Sequence, residues 1–425
     1  MTDNTLSLRY LFGKGSVLLV LKLFSAFIGF CFHVYIARKL SLTEFGLLNL
    51  ALTCILFIVA IAKQGLEPAI VKGFAQVGLR QIAPLYQHII VYTLINLVMV
   101  CVIFWGFANV IFTSLLATPQ LIDMLPLIIV LTAFQTWLGV NSSVLKGQQY
   151  PLLSLLFTGI VTYCIALGIC LHIESLSAFT VLTILAYSTL IAVIISFILI
   201  KIKLRVGTAF FKFSSLESSG FVNVLSVSRV LFVSSIASLI AQQLGVLVLA
   251  KYASLDDVGL YSVALKISLL LSYPLVVINM ITAPRYAKLY GDNQLKEFKV
   301  LAKLTTKLLI LLASLMLLFV AFFAENLVVL FGEKYYEAAP FLIVLAVGQW
   351  FNLSTGSVVS MLVMTGHEII HRRNMIFIAL FTSVALFLFV PIYGVIASAW
   401  VTSISMISLN LVSLYFVNKH IYKLR

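Results

Sequence analysis

The chain has 425 residues, 62% of them hydrophobic and 10% charged, with a formal net charge of +14. A mean hydropathy of +1.14 excludes a soluble globular protein. The basic residues are spread over many short connections, which is not the pattern of a nucleic-acid-binding face.

A membrane-crossing helix needs about 20 mostly apolar residues. Twelve stretches meet that need: 15–36, 45–68, 87–113, 124–145, 151–172, 178–200, 224–250, 258–282, 304–324, 339–364, 374–391 and 393–416. None alternates with period two, so helices are predicted rather than barrel strands. The first stretch is long, contains Lys22 and precedes no A-x-A-like site, so it reads as a retained helix. Cys31, Cys54, Cys101, Cys164 and Cys170 all fall inside predicted spans, form no CxxC pair, and suggest neither a disulfide nor a metal site. No cofactor is expected. The connections are too short for a separate folded domain, which weighs against a membrane polysaccharide polymerase or glycosyltransferase. The expected organisation is an N-terminal six-helix bundle (1–200), an interfacial linker (201–222) and a C-terminal six-helix bundle (223–425).

The halves echo one another. VYIARKLSLTEFGLLNLALT (34–53) aligns without gaps to LVLAKYASLDDVGLYSVALK (247–266), pairing Ser41 with Ser254 and Gly46 with Gly259. Internal repeats in a membrane protein point to a transporter of two like halves with its site between them. In both copies a serine precedes an acid by three residues, the spacing of a capping box. Capping therefore explains Asp256 and Asp257 better than a metal site does.

With the N-terminus inside, one side collects Arg9, Lys14, Lys72, Arg80, Lys146, Lys201, Lys203, Arg285, Lys288, Lys296 and Arg372, among others. The other side collects only Arg38, Lys39, Lys251 and Lys334. The positive-inside rule then predicts both termini in the cytoplasm and two bundles related in parallel. Lys296, Lys299, Lys303 and Lys307 follow helical spacing and suit an anionic lipid surface.

Four bases remain inside spans: Lys22, Lys63, Arg229 and Lys266. Charges in hydrocarbon cost about 3 kcal/mol each on insertion scales, so they face a cavity or a partner. They are the candidate substrate-binding residues, forming a cationic site for an anionic group. Other readings stand beside this one. Lys63 and Glu67 are spaced i, i+4 and fit mutual neutralisation; Lys22 and Arg229 fit snorkelling to an interface. Glu67 and His33 are the candidates for carrying a coupled proton. Trp137, Tyr163, Tyr273 and Trp350 are candidates for stacking on sugars.

IARKLSLTEFGLLNLA (36–51), Gly65-Leu66, Ala69-Ile70-Val71-Lys72 and LFGEKYYEAAPFLIVLAVGQ (330–349) resemble the Wzx-type O-antigen and polysaccharide flippases. That family belongs to the multidrug/oligosaccharidyl-lipid/polysaccharide exporter superfamily. The resemblance implies two six-helix bundles around a central cavity, alternating access, and transfer of undecaprenyl-pyrophosphate-linked oligosaccharide from inner to outer leaflet of the bacterial inner membrane. It implies lipid-linked oligosaccharide and membrane lipids as partners, with a polysaccharide polymerase, a chain-length regulator and a coupling proton or sodium ion as further candidates. A multidrug exporter of the same superfamily is the alternative. The excess of intramembrane base over acid favours the anionic substrate.

Overall fold

The structure is a computed structural model that describes residues 8–76, 79–204 and 219–422. Most of the predicted linker, residues 205–218, lies outside the described residues. The described chain is helical throughout, with no strand. Its α-helices are α1 (Leu8–Lys39), α2 (Leu42–Lys63), α3 (Leu66–Gln76), α4 (Leu79–Asn109), α5 (Leu125–Gly147), α6 (Pro151–Leu155), α7 (Thr162–Leu171) and α8 (Ala178–Leu204). They continue as α9 (Ser219–Tyr252), α10 (Leu255–Leu270), α11 (Tyr273–Gly291), α12 (Leu295–Val329), α13 (Ala339–Ser354), α14 (Val358–Met364) and α15 (Glu368–Val417).

Ten described helices are long and apolar enough to cross a membrane, and the pair Glu333–Ser354 and Val358–Met364, bent by 44°, makes an eleventh. α15 contains a further crossing. At 50 residues it would be about 75 Å long if straight, more than twice the ~30 Å hydrocarbon core. It breaks at Gly394, whose φ of 58° and ψ of −136° are not helical. Thr382 Oγ1 donates to Ser405 Oγ at 2.7 Å across that break, so the two arms fold back antiparallel. The twelve predicted stretches thus all fall on helical segments, some of them interrupted, with the final two joined through one glycine.

The chain divides into two compact units, Val20–Ile236 and Met1–Leu19 with Ala237–Arg425. The first has an apolar core built from Leu66, Ile70 and Phe74 of α3, Ile82 and Ile89 of α4, Val140 and Val144 of α5, and Phe221 and Val224 of α9. A buried polar relay crosses this core. Tyr86 donates to Asn141 Oδ1 at 2.8 Å, and Asn141 Nδ2 donates to Ser196 Oγ at 2.8 Å. Each group is paired, as burial in a low-dielectric interior requires. In the second unit, Tyr286, Phe298, Met361, Leu362 and Val417 form a core around the ends of α11 and α12. A separate cavity of about 180 Å³ inside this unit has a mixed lining of apolar residues, among them Leu269 and Met375, and uncharged polar ones, among them Gln242, Gln349, Asn352 and Asn410.

The repeated serines do cap helices, but not identically. Ser254 and Asp257 form the full reciprocal box at the start of α10. Ser41 accepts from the Glu44 N–H at 3.1 Å, yet Glu44 does not reach back. Its longer side chain accepts instead from the Ala178 N–H, placing the carboxylate at the first turn of α8, where exposed amides favour negative charge.

Candidate functional site

The sequence predicts an unbroken helix over 45–68; the structure interrupts it. α2 stops at Lys63, Gln64 adopts a left-handed conformation (φ 45°), and Gly65 follows at φ 73° before α3 starts. A residue other than glycine with positive φ is uncommon, and polar bonds hold this one. Tyr92 donates to Gln64 Oε1 at 2.6 Å, Gln64 Nε2 donates to Asn96 Oδ1 at 2.8 Å, and Ser228 Oγ donates to the Gln64 carbonyl. The break is thereby tied to α4 and α9. A Cβ on Gly65 would stand 2.5 Å from the Ser228 carbonyl oxygen and 2.6 Å from the Phe232 nitrogen. The two backbones meet closely because no side chain separates them.

The charged residues gather around this break. Lys63 Nζ lies 2.7 Å from Glu67 Oε1, so the i, i+4 pair predicted by spacing forms. It sits directly on Gly139 of α5, where any Cβ would overlap both charged ends. Eight residues on, Gly147 lets α3 approach α5 again, with Phe74 and Val71 against it. Lys146, in the last turn of α5, is close enough to interact electrostatically with Glu67 and with Lys22 of α1. Spacing alone did not single out Lys146 as a site residue; α3 lying across α5 brings it there. Lys22 is half-buried, and Arg229 is exposed beside the buried Ser228 that binds Gln64.

The remaining candidates are not among the contacts of this cluster. Lys266 is on α10, in the other compact unit. His33 packs beside Phe32 and Tyr163, with ring centroids 5.4 and 6.0 Å away. Gly29 and Gly159 let α1 lie close to this region, Gly29 against Tyr163 and Gly159 against Ser25. Leu156–Val161, which carries Gly159, is a π-helix, a distortion often found at functional sites. Three of the aromatic candidates are in packing contacts: Tyr163 against Phe32 at 5.3 Å, Trp137 against Phe197 at 5.9 Å, and Trp350 against Phe351 with its Nε1 donating to Ser314.

Comparison with known proteins fits this architecture. Three solved structures illustrate the likeness. The lipid II flippase MurJ in an inward closed conformation is 16% identical, covering 95% of this chain and 87% of that chain, with a TM-score of 0.74. An inward-facing multidrug resistance MATE family transporter of the MOP superfamily is 15% identical, covering 95% and 98%, with a TM-score of 0.71. A MOP superfamily transporter from Pyrococcus furiosus is 16% identical, covering 95% of each chain, with a TM-score of 0.63. At such identities the likeness establishes the fold. No curated protein matches the sequence. The MatE family model matches residues 231–371, and the model described as polysaccharide biosynthesis protein matches residues 11–290. With about two-thirds of its length matched by that model, the chain belongs to the polysaccharide biosynthesis protein family.

Proposed function

We propose that this protein is a flippase that moves an undecaprenyl-pyrophosphate-linked oligosaccharide, such as an O-antigen repeat unit, from the inner to the outer leaflet of a bacterial inner membrane. The observation that carries the reading is the placing of Lys63 and Lys146 beside a single carboxylate, Glu67, at a broken helix, with Lys22 in turn near Lys146. Transporters commonly build sites from discontinuous helices. Three bases against one acid leave the surplus positive charge that a pyrophosphate group needs. Arg229 extends that charge along α9, and Lys266 supplies a base in the second unit for a later stage of alternating access. Proton coupling through Glu67 or His33 belongs to the same reading. Family membership supports the link to polysaccharide synthesis, and MurJ, a lipid II flippase, shares the fold.

Deleting the gene should leave lipid-linked repeat units in the inner leaflet. Normal surface polysaccharide after deletion, in a cell with no substitute flippase, would overturn the assignment. In the intact protein, Arg229→Ala and Lys266→Ala should each abolish transport while expression and membrane insertion persist; wild-type transport in both would remove the cationic site. A multidrug exporter is the second reading, favoured by the MatE match over 231–371. A cationic drug would meet repulsion at Lys22, Lys63 and Lys146, and transport of such drugs with no effect on lipid-linked sugars would favour that reading instead.

A further inference from the structure

α11 and α12 meet at a corner with an open groove of about 560 Å³, within the size range of small-molecule sites. Arg285 and Lys288 enter it from the last turns of α11, and Lys296 from the first turn of α12. Its floor is apolar: Leu289, Val300, Leu301 and Leu304. Glu297 is the one carboxylate in the lining, so three cations face a single acid. Among the described residues no carboxylate forms an ion pair with Arg285, Lys288 or Lys296.

The groove is rigidly framed. Asn293 turns the chain with φ 61°, and the Gln294 N–H donates to the Leu289 carbonyl at 2.9 Å. Behind it, Tyr286 packs on Phe298 with centroids 5.0 Å apart, and its hydroxyl is 3.0 Å from Thr305 Oγ1. An apolar track then leaves the groove along α12. Val300, Leu304, Leu308, Leu311 and Leu315 are all exposed, at spacings of four, four, three and four residues, which form one stripe on a helix.

We propose that this corner is a binding site for an anionic glycerophospholipid. Arg285, Lys288 and Lys296 hold its phosphate, and its acyl chains lie along the Val300–Leu315 stripe. Basic pockets between membrane helices are suited to such headgroups. The surplus of cations over Glu297 selects an anionic headgroup over a zwitterionic one. The site is independent of the proposed transport substrate: it lies wholly within one compact unit and uses none of Lys22, Lys63, Lys146 or Arg229.

The test uses the purified full-length protein in detergent, titrated separately with phosphatidylglycerol, phosphatidylethanolamine and phosphatidylcholine, with bound lipid counted by native mass spectrometry. Phosphatidylglycerol should be retained preferentially. The triple variant Arg285→Gln, Lys288→Gln, Lys296→Gln should weaken that retention on the order of tenfold. Glu297→Gln should strengthen it, a gain that misfolding cannot produce. Lys39→Gln, Lys251→Gln, Lys334→Gln removes the same charge at residues outside the groove lining and should leave retention unchanged. Equal retention of all three lipids would overturn the proposal. So would an equal loss in the two triple variants, or an unaltered affinity in Glu297→Gln.

Discussion

Gly139 determines where the Lys63–Glu67 pair can rest. A methyl group there would overlap Glu67 Oε1 and Lys63 Nζ, but both are ends of flexible side chains that can swing away. Gly139→Ala should therefore keep the fold, with its melting temperature in detergent within a few degrees of wild type, while displacing the pair and lowering transport severalfold. A full transport rate in a normally folded Gly139→Ala protein would show that the position of the pair is irrelevant. The pair itself was legible in the sequence, because i, i+4 spacing on a helix is a local property. Lys146 was legible only as a loop charge. Its approach to Glu67 depends on the passage of α3 across α5, and no local pattern encodes that crossing. The same limit applies to the capping boxes. Ser41 and Ser254 were readable as caps, but the capture of Glu44 by the start of α8 is a contact 134 residues away in sequence.

Among the elements, the α2–α3 break is the feature that hydropathy could not reveal. The apolar run passes through it, although Pro68, in the first turn of α3, has no N–H to offer the Gln64 carbonyl four residues back. What stops the helix is the polar knot of Gln64, Tyr92, Asn96 and Ser228 together with the positive φ of Gly65. Gly65→Ala should be costly for two reasons. The side chain would strain a left-handed backbone, and its Cβ would press on backbone atoms of α9 at 2.5 and 2.6 Å that cannot rotate away. Strain and overpacking of this kind each cost about 1–3 kcal/mol, so a loss of at least ~2 kcal/mol is expected, read as a lowered melting temperature or loss of the folded protein. Gly106→Ala is the matched control. A Cβ there meets nothing within 4 Å, so stability should hold or rise slightly. Equal stability of the two variants would mean that the close approach of α9 to the break does not exist in the membrane.

The whole molecule rests on counting. Twelve helical passages, six to each half of the sequence repeat, require equivalent points of the two halves to lie on the same side of the membrane; an odd number per half would put them on opposite sides. Gly394 matters here, because reading α15 as one crossing would remove a passage and move the C-terminus across the bilayer. Lys39 and Tyr252 are repeat-equivalent and both exposed at helix ends, and both belong to the side that charge sorting assigns to the exterior. Lys203 and Asp292, also exposed, belong to the basic side that charge sorting assigns to the cytoplasm. In a background with Cys31, Cys54, Cys101, Cys164 and Cys170 replaced, Lys39→Cys and Tyr252→Cys should react with a membrane-impermeant thiol reagent in intact cells. Lys203→Cys and Asp292→Cys should react only after permeabilisation. Labelling of Lys39→Cys without Tyr252→Cys would make the repeat inverted rather than parallel.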